Sequence, residues 1–362
     1  MVVVADLGAG GVQRVVTTLV DAFSRRGTRI CVVTLSGASS DHFQLPATVT
    51  RHALGLQSPA SGLIGAISAN LGRIRAIRHI VRATAAPTVL ALAGITNILT
   101  VIACAGLPAR VVISERNDPA RQRLGRPWDW LRRRLYARAD MVTANSRTAL
   151  TELASYVPAA RLALVPNPVV PPAAQSPRGD GAPHFLSVGR LARQKAYDVV
   201  LAAVAQLAPS ESPWRLRVVG EGGERDALQA QAHRLGLSGR IDWLAPVRDV
   251  WPLYQQADAF VLASRHEGTP NALLEAMACG VPVIVSDACG GALDYVEDGK
   301  TGLVVPVEDA AALAGAMQRL ITDPALRRRL GDAGRARVTS EAAGEAVRIW
   351  ERVLGLQGKN AA

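Results

Sequence analysis

Two glutamates, Glu267 and Glu275, lie eight residues apart and form the pair whose spacing most strongly suggests chemistry. The intervening residues predict a helix with Thr269 at the N-cap, Pro270 at the first helical position and good helix formers up to a stop at Gly280. Eight residues turn through about 800°, or about 80° beyond two full turns, so both carboxylates face roughly the same side.

The first turn of this predicted helix offers a place for an anion. The N–H groups of Asn271, Ala272 and Leu273 have no partner within the helix, and the helix dipole adds positive potential there. The segment therefore predicts a phosphate at the helix end with one acid on either side. The alternative interpretation is two solvated acids that flank a core helix.

The residues around the two glutamates resemble the Glu-x7-Glu signature of the family 4 retaining glycosyltransferases. The matching residues are Ser264, Glu267-Gly268, Pro270-Asn271 and Glu275-Ala276-Met277-Ala278. The resemblance implies that Glu275 binds the ribose of a nucleotide, and that Glu267 and Gly268 lie against the donor sugar and its diphosphate. It covers most of the chain, is strong over residues 185–306 and is looser before residue 110.

A second segment, 185–195, predicts a strand that runs into a cationic loop and then a helix over 197–204. Arg190 and Lys195 suit a diphosphate at the C-terminal end of a strand, because Arg can contact two oxygens and Lys supplies a point charge. The chain has 38 Arg and 3 Lys, so a lysine here is unusual, although an ordinary exposed basic loop is the alternative. The resemblance implies that both residues neutralise the leaving nucleoside diphosphate, and Ala196 replaces its usual glycine.

Glycines mark further positions where a nucleotide would approach the backbone. Gly189 ends the strand before the cationic loop, Gly220 opens a glycine-rich turn after the next predicted strand, and Gly10-Gly11 follows the first strand. A glycine turn is weak evidence alone because any dinucleotide fold uses one. The resemblance implies that all four of these glycines contribute to donor binding.

The first half of the chain supplies weaker site candidates. Glu115 and Arg116 follow a predicted strand at Val111, where many relatives carry a histidine close to the transferred sugar. We expect one of the two to touch the sugar or the acceptor, with Glu115 counted among the catalytic residues; a salt-bridged turn is the alternative. Asn97, in a neighbouring loop, and His266, beside the first glutamate of the pair, are further candidates.

Length and pattern predict an α/β protein of about two domains, because short apolar strands alternate with helical segments as in βαβ units. We expect a Rossmann-like domain over 1–166, a Pro-rich linker over 167–183 and a second Rossmann-like domain over 184–340. The resemblance implies the GT-B architecture, with the two parallel sheets facing across a cleft. It also implies that residues 341–362 form a helix crossing back to the first domain and a tail.

The net charge of +11 is unevenly distributed along the chain. Residues 1–180 hold 21 Arg and 9 acids, whereas residues 181–362 hold 20 basic and 21 acidic residues. Two Arg clusters, 73–82 and 121–138, account for much of the excess, and the second contains Trp and Tyr. Such clusters suit an anionic membrane surface or a diphosphate-linked lipid acceptor, with solvated helices as the alternative. Nucleic acid is not an expected partner, since no recognition motif accompanies them.

The uncharged stretch 83–109 is predicted to be buried βαβ structure rather than a membrane span, with a strand over 88–92, a helix over 97–105 and a strand from 110. The beginning of the chain does not resemble a secretory signal, and the true start is expected a few residues upstream. The four cysteines show no metal-ligand spacing and are expected as reduced thiols. We therefore expect a cytoplasmic protein, with at most a peripheral association with the inner face of the plasma membrane.

The predicted reaction is retaining transfer of a hexose-type sugar from a UDP-linked donor to a glycan or polyprenyl-diphosphate-linked acceptor of a cell-surface polysaccharide. No Asp-x-Asp occurs in the chain, so neither a metal nor another cofactor is expected. A nucleotide-sugar epimerase of the same fold and a non-catalytic scaffold that docks on a membrane are the alternatives.

Overall fold

A computed structural model describes residues 1–57, 62–171, 183–207, 214–338 and 340–356. The chain divides into two compact units, one made of Met1–Pro168 with Gly344–Ala362 and the other of Val169–Ala343. The boundary after Pro168 falls within the stretch predicted as a linker. Most of that stretch, residues 172–182, lies outside the described residues, as does the end of the predicted tail, 357–362.

The described part of the first domain is built on a seven-stranded, all-parallel sheet. Numbered in chain order, its strands are β1 (Val2–Val4), β2 (Cys31–Thr34), β3 (Thr50–Ala53), β4 (Thr88–Leu92), β5 (Arg110–Glu115), β6 (Met141–Ala144) and β7 (Leu162–Leu164), in the spatial order β3-β2-β1-β4-β5-β6-β7. The central strands are short apolar runs buried on both faces, as parallel sheets require.

Helices connect these strands and cover the sheet. They are α1 (Gly11–Arg25), α2 (Gly62–Thr84), α3 (Gly94–Cys104), α4 (Arg126–Leu135) and α5 (Arg147–Leu153). The stretch 83–109 therefore forms strand, helix and strand as predicted, although α3 begins three residues earlier than expected. Among the described residues, no helix has both the length and the apolar character needed to cross a membrane.

The second domain has a six-stranded, all-parallel sheet in its described part. Its strands are β8 (His184–Val188), β9 (Arg215–Val219), β10 (Ile241–Leu244), β11 (Ala259–Leu262), β12 (Val283–Ser286) and β13 (Leu303–Val305), in the order β10-β9-β8-β11-β12-β13. Its helices are α6 (Tyr197–Val204), α7 (Arg225–Arg234), α8 (Trp251–Gln256), α9 (Asn271–Ala278), α10 (Ala310–Thr322) and α11 (Pro324–Arg337). The predicted α/β class with two Rossmann-like parallel sheets is confirmed.

The strand order of the second sheet determines where a ligand site can form. The chain runs outward from β8 through β9 to β10, and then returns to the other side of β8 with β11, β12 and β13. This reversal beside β8 is a topological switch point, and ligands of open parallel sheets bind there, beyond the carboxyl ends of the strands. The loops after β8, β9, β11 and β12 all leave from that edge.

The last helix, α12 (Ser340–Leu354), packs against the first domain, as predicted. Trp350 is fully buried in the cluster that contains α1 and β1. The Nη2 atom of Arg110 donates to the carbonyl oxygen of Val353 at 3.2 Å, and Arg26 forms an ion pair with Glu351. Truncating Trp350 would remove about 3–5 kcal/mol of stability, the usual cost for a buried tryptophan.

Candidate functional site

The loops after β8 and β11 bring a lysine and a glutamate together. Lys195 Nζ lies 2.6 Å from Glu267 Oε1, and the two side chains are 17% and 11% exposed. Lys195 ends a single 3₁₀ turn, Arg193–Lys195, while Glu267 lies in the loop between β11 and α9. The predicted first glutamate and the predicted lysine therefore form one ion pair with limited access to solvent.

Gly189 leaves room for this pair. A Cβ atom at Gly189 would lie 3.1 Å from Cε of Lys195 and 3.3 Å from the hydroxyl oxygen of Tyr197, closer than most real Cβ contacts. The Tyr197 hydroxyl donates to the Gly189 carbonyl oxygen at 3.2 Å. The next residue, Arg190, is exposed at the start of the same loop. The strand end thus presents one accessible cation and one cation held by a carboxylate.

The glycine-rich turn after β9 packs directly on the loop after β8. Gly220 has φ +154°, and a Cβ there would overlap the carbonyl group of Gly189. A Cβ on Gly222 would similarly overlap the backbone of Leu191. The backbone N–H of Leu191 donates to the carbonyl oxygen of Glu221 at 2.8 Å. These glycines are required because the two loops touch through their backbones.

Ala196 adopts a backbone conformation that favours glycine. Its φ and ψ are 53° and 39°, in the left-handed region, and its side chain is fully buried. An L-residue in this conformation costs roughly 1–2 kcal/mol, so the turn between Lys195 and α6 stores local strain. The turn therefore forms without a glycine, at a cost in stability.

The helix that carries Glu275 starts later than the sequence suggested. Pro270 is the N-cap of α9 and its side chain makes no capping hydrogen bond, so the predictions of Thr269 as N-cap and Pro270 as first helical residue were wrong. The Thr269 hydroxyl instead donates to the carbonyl oxygen of Gly291 at 3.4 Å. Gly291 approaches the preceding loop so closely that a Cβ there would overlap the backbone of Gly268. Thr269 is therefore used to join two loops rather than to cap a helix.

Glu275 lies within α9 and is buried. The hydroxyl group of Tyr254, from α8, donates to Glu275 Oε2 at 2.8 Å. The first turn of α9 contains Asn271, Ala272 and Leu273, whose N–H groups were predicted to bind an anion. Tyr254 was missed by sequence reasoning because it lies 21 residues from Glu275 and belongs to no motif.

The loop after β12 adds a buried thiol next to the ion pair. Burial and the negative charge of Glu267 raise the pKa of Cys289 to about 12, with partial compensation from Ser286 and Lys195. Cys289 therefore stays a neutral thiol and donates to the carbonyl oxygen of Ser264 at 3.4 Å. No disulfide joins the four cysteines, in agreement with the expectation of reduced thiols.

The first-domain candidates Glu115 and Asn97 belong to a buried hydrogen-bond network. Glu115 is 1% exposed, and its Oε2 atom accepts a hydrogen bond of 2.9 Å from the hydroxyl group of Tyr136. Asn97 lies inside α3, and its Nδ2 atom donates to Tyr136 Oη at 3.1 Å and to the carbonyl oxygen of Ser114 at 2.9 Å. Burial raises the pKa of Glu115, and the hydrogen bond from Tyr136 and the charge of Arg132 offset part of that effect. Both side chains are therefore buried parts of this network, and a contact of Glu115 or Asn97 with the sugar or the acceptor stays a prediction.

The remaining candidates are held by local contacts. Arg116 Nη2 donates to Asn167 Oδ1, which precedes the domain boundary, and the carbonyl oxygen of His266 accepts from Gln194 Nε2 at 2.9 Å. Gly10 is the N-cap of α1 and Gly11 is its first residue. Among the described residues, no group of three or more His, Cys, Asp or Glu side chains could hold a metal ion. Metal independence stays a prediction.

Comparison with known proteins assigns the chain to a family. The model described as "Glycosyltransferase Family 4" matches residues 9–172, and that described as "Glycosyl transferases group 1" matches residues 173–337. The lipopolysaccharide core biosynthesis glycosyltransferase LpsE of Rhizobium meliloti is 36% identical over 166 residues, which are 46% of this chain and 47% of LpsE. The match thus spans about half the length of that relative.

A relative from Campylobacter jejuni matches over nearly its whole length. It is the GalNAc-alpha-(1->4)-GalNAc-alpha-(1->3)-diNAcBac-PP-undecaprenol alpha-1,4-N-acetyl-D-galactosaminyltransferase, 25% identical over 329 residues, or 91% of this chain and 90% of that protein. The solved structure of Anabaena Alr3699/HepE in complex with UDP and glucose has a TM-score of 0.74 at 18% identity, covering 98% of this chain and 99% of HepE. That likeness shows the fold. The two family models together match residues 9–337, and this match identifies the chain as a glycosyltransferase.

Proposed function

We propose that this glycosyltransferase moves a hexose-type sugar from a nucleotide sugar, with UDP as the nucleotide, to a glycan or lipid-linked glycan acceptor, and that the α configuration is retained. The observation that carries the proposal is the Lys195–Glu267 ion pair at the switch point of the second sheet. A cation already held in place suits a diphosphate, and the neighbouring helix terminus adds further positive potential.

In this proposal the cations act on the leaving group. Lys195 and Arg190 stabilise the negative charge that grows on the diphosphate as the bond from its oxygen to the anomeric carbon breaks. Because Glu267 already orients Lys195, little reorganisation accompanies the transition state. The acceptor oxygen attacks the same face of the anomeric carbon, and its proton passes to the departing diphosphate oxygen. Glu267 lies against the sugar.

Glu275 is proposed to bind the ribose hydroxyl groups. Tyr254 occupies one acceptor position of its carboxylate and fixes its rotamer. An ionised carboxylate accepts hydrogen bonds at about four lone-pair positions, and the ribose hydroxyl groups are donors that suit such an acceptor. Tyr254 is then a supporting residue of the nucleotide site.

The substrate class rests on the named relatives. LpsE is named for lipopolysaccharide core biosynthesis, and the Campylobacter enzyme is named for a diphosphate-undecaprenol-linked glycan. These names support a cell-surface polysaccharide pathway with a polyprenyl-diphosphate-linked acceptor. UDP bound to HepE, a protein of the same fold, makes UDP the first nucleotide to test.

We also propose that the first domain associates peripherally with an anionic membrane on the inner face. The helices α2 and α4 carry Arg clusters together with exposed Ile64, Ile67 and Trp130, and Arg134 lies over the Trp130 ring at 5.6 Å. Apolar side chains beside arginines fit the interface of anionic lipids. Binding to vesicles with anionic lipid should weaken with salt and in Trp130→Ala; equal binding to neutral vesicles would contradict the proposal.

The test of the reaction is a titration with UDP-, GDP- and ADP-sugars in a chelator, following thermal stabilisation, nucleoside diphosphate release and the identity of the sugar. We expect one donor to stabilise the protein and to release its diphosphate slowly, at a rate unchanged by added Mg²⁺. A changed sugar without an acceptor would favour the epimerase. Absence of any response, together with salt-dependent vesicle binding, would favour the scaffold.

A further inference from the structure

Arg265 contacts both the turn that carries Lys195 and the loop that carries Glu267. It lies in the loop after β11, two residues before Glu267, and its side chain is 17% exposed. Its Nη1 and Nη2 atoms donate to the two carboxylate oxygens of Asp198 at 3.0 and 2.7 Å. Its Nε and Nη2 atoms donate to the carboxylate of Glu308. One guanidinium thus contacts two carboxylates.

These contacts are continued by the backbone. The N–H group of Arg265 donates to the carbonyl oxygen of Gln194 at 2.8 Å, and its Nη1 atom donates to the carbonyl oxygen of Arg193. Gln194 Nε2 returns a hydrogen bond to the carbonyl oxygen of His266. The residues joined in this way immediately precede Lys195 on one loop and Glu267 on the other. We call the contacts of Arg265 with Asp198, Glu308 and the Arg193–Gln194 backbone the clamp. The clamp fixes both loops next to the ion pair.

The charges around Arg265 argue against a role for it in binding phosphate. Two carboxylates surround one guanidinium, so the cluster carries a net negative charge and does not attract an anion. Partial burial acts to raise the pKa of Asp198, but the hydrogen bonds and charge of Arg265 hold it below its usual range. Asp198 and Glu308 raise the pKa of Arg265 in turn. Two-oxygen contacts of this kind define orientation as well as energy.

Glu308 adopts a backbone conformation that supports the same role. Its φ of +65° is rare for a residue other than glycine and is a strained backbone conformation. Strain of this size persists where the surrounding contacts determine the geometry. At Glu308 those contacts are the hydrogen bonds to Arg265.

We propose that Arg265 is a positioning residue: it holds the loop that carries Glu267 against the turn that carries Lys195, and so sets the geometry of the donor site. The effect of Arg265 on sugar transfer rests on the proposed function, whereas the effect of Arg265 on the position of Lys195 does not. The two can be measured separately because the chain contains three lysines, of which Lys195 is shielded and Lys300 has a side chain that is 70% exposed.

The first measurement is the rate of lysine acetylation, followed by peptide mass spectrometry in the wild type, Arg265→Gln and Arg265→Lys. We expect Arg265→Gln to raise the rate at Lys195 about tenfold, with Lys300 unchanged and Arg265→Lys intermediate, since hydrogen bonds between charged groups contribute roughly tenfold to hundredfold each. An unchanged rate at Lys195, or an equal rise at Lys300 that indicates general unfolding, would overturn the proposal.

The second measurement connects the clamp to catalysis through a double-mutant cycle with Lys195→Ala. If Arg265 acts through the ion pair, Arg265→Gln lowers nucleoside diphosphate release in the wild type about tenfold and has little further effect in Lys195→Ala. Equal losses in both backgrounds would show a purely structural role. A wild type that releases no diphosphate from any donor would contradict the proposed function, and acetylation would still decide the positioning role.

Discussion

Two glutamates at the carboxyl ends of parallel strands have very different surroundings in the two domains. Glu115 ends β5, is almost fully buried and accepts a hydrogen bond from Tyr136. Glu267 follows β11, retains some exposure and pairs with Lys195. Burial raises the pKa of Glu115, whereas Glu267 lies 2.6 Å from the ammonium group of Lys195. Residue type and strand position therefore do not identify a site until the partner and the access to solvent are known.

The largest expected effect in this comparison comes from removing the cation. Lys195→Ala should slow sugar transfer about a hundredfold, within the range for loss of one donor that stabilises a developing anion. The matched control is Lys300→Ala, which removes another lysine that pairs with a glutamate but is well exposed. Steady-state rates of transfer at saturating donor measure this effect. Equal rates in Lys195→Ala and Lys300→Ala would contradict the role of Lys195.

Glu275→Gln should act on binding rather than on chemistry. If the carboxylate holds the ribose, KM for the donor should rise about tenfold with little change in kcat, because binding is lost equally from ground and transition states. Glu297→Gln, at an exposed glutamate, serves as the control. A fall in kcat at constant KM would instead place Glu275 close to the reacting atoms.

Glu115 should matter for stability and its pH dependence, not for turnover. The folded state raises the pKa of Glu115, so its contribution to stability is complete below the usual carboxyl pKa and is lost as pH rises through the raised value. Denaturant unfolding at several pH values should show this decline in the wild type and a flatter profile in Glu115→Gln. Tyr136→Phe should cost about 1–3 kcal/mol by leaving buried partners without their hydrogen bond. A hundredfold loss of kcat in Glu115→Gln would return that residue to the catalytic set.

The smallest expected effect concerns the strained turn beside Lys195. Ala196→Gly should stabilise the protein by up to about 1 kcal/mol, because glycine adopts the left-handed conformation without the Cβ clash. Ala202→Gly, within α6, should instead destabilise it by roughly 0.5–1 kcal/mol. Denaturant midpoints measure both changes, and destabilisation by Ala196→Gly would show that the turn is not strained.

Local patterns predicted much of the fold because they depend on neighbours in sequence. The strand over 88–92 and the helix over 197–204 match the structure residue for residue. A short apolar run predicts a buried strand, and a run of helix formers predicts a helix. Helix starts were less predictable. Asn97 lies inside α3, and Pro270 takes the N-cap position because Thr269 bonds to another loop.

The contacts that complete the candidate site could not be predicted in this way. Arg265 contacts Asp198 across 67 residues and Glu308 across 43, so these contacts depend on the packing of two loops and the first turn of α6 rather than on a sequence spacing. Glu115 was predicted as a site residue from its place after a strand and from the family resemblance. Its burial depends on Tyr136, 21 residues further along the chain, which no motif connects to it.

The role of Lys195 can be tested by titrating the wild type and the Lys195→Ala variant with a panel of nucleotide sugars in the presence of a chelator. We expect one donor, with UDP as its nucleotide, to stabilise the wild type and to release its diphosphate. Lys195→Ala should lose most of that release, and Lys300→Ala should retain it. Stabilisation by no donor, or undiminished release in Lys195→Ala, would contradict the assignment of the Lys195–Glu267 pair to the donor site.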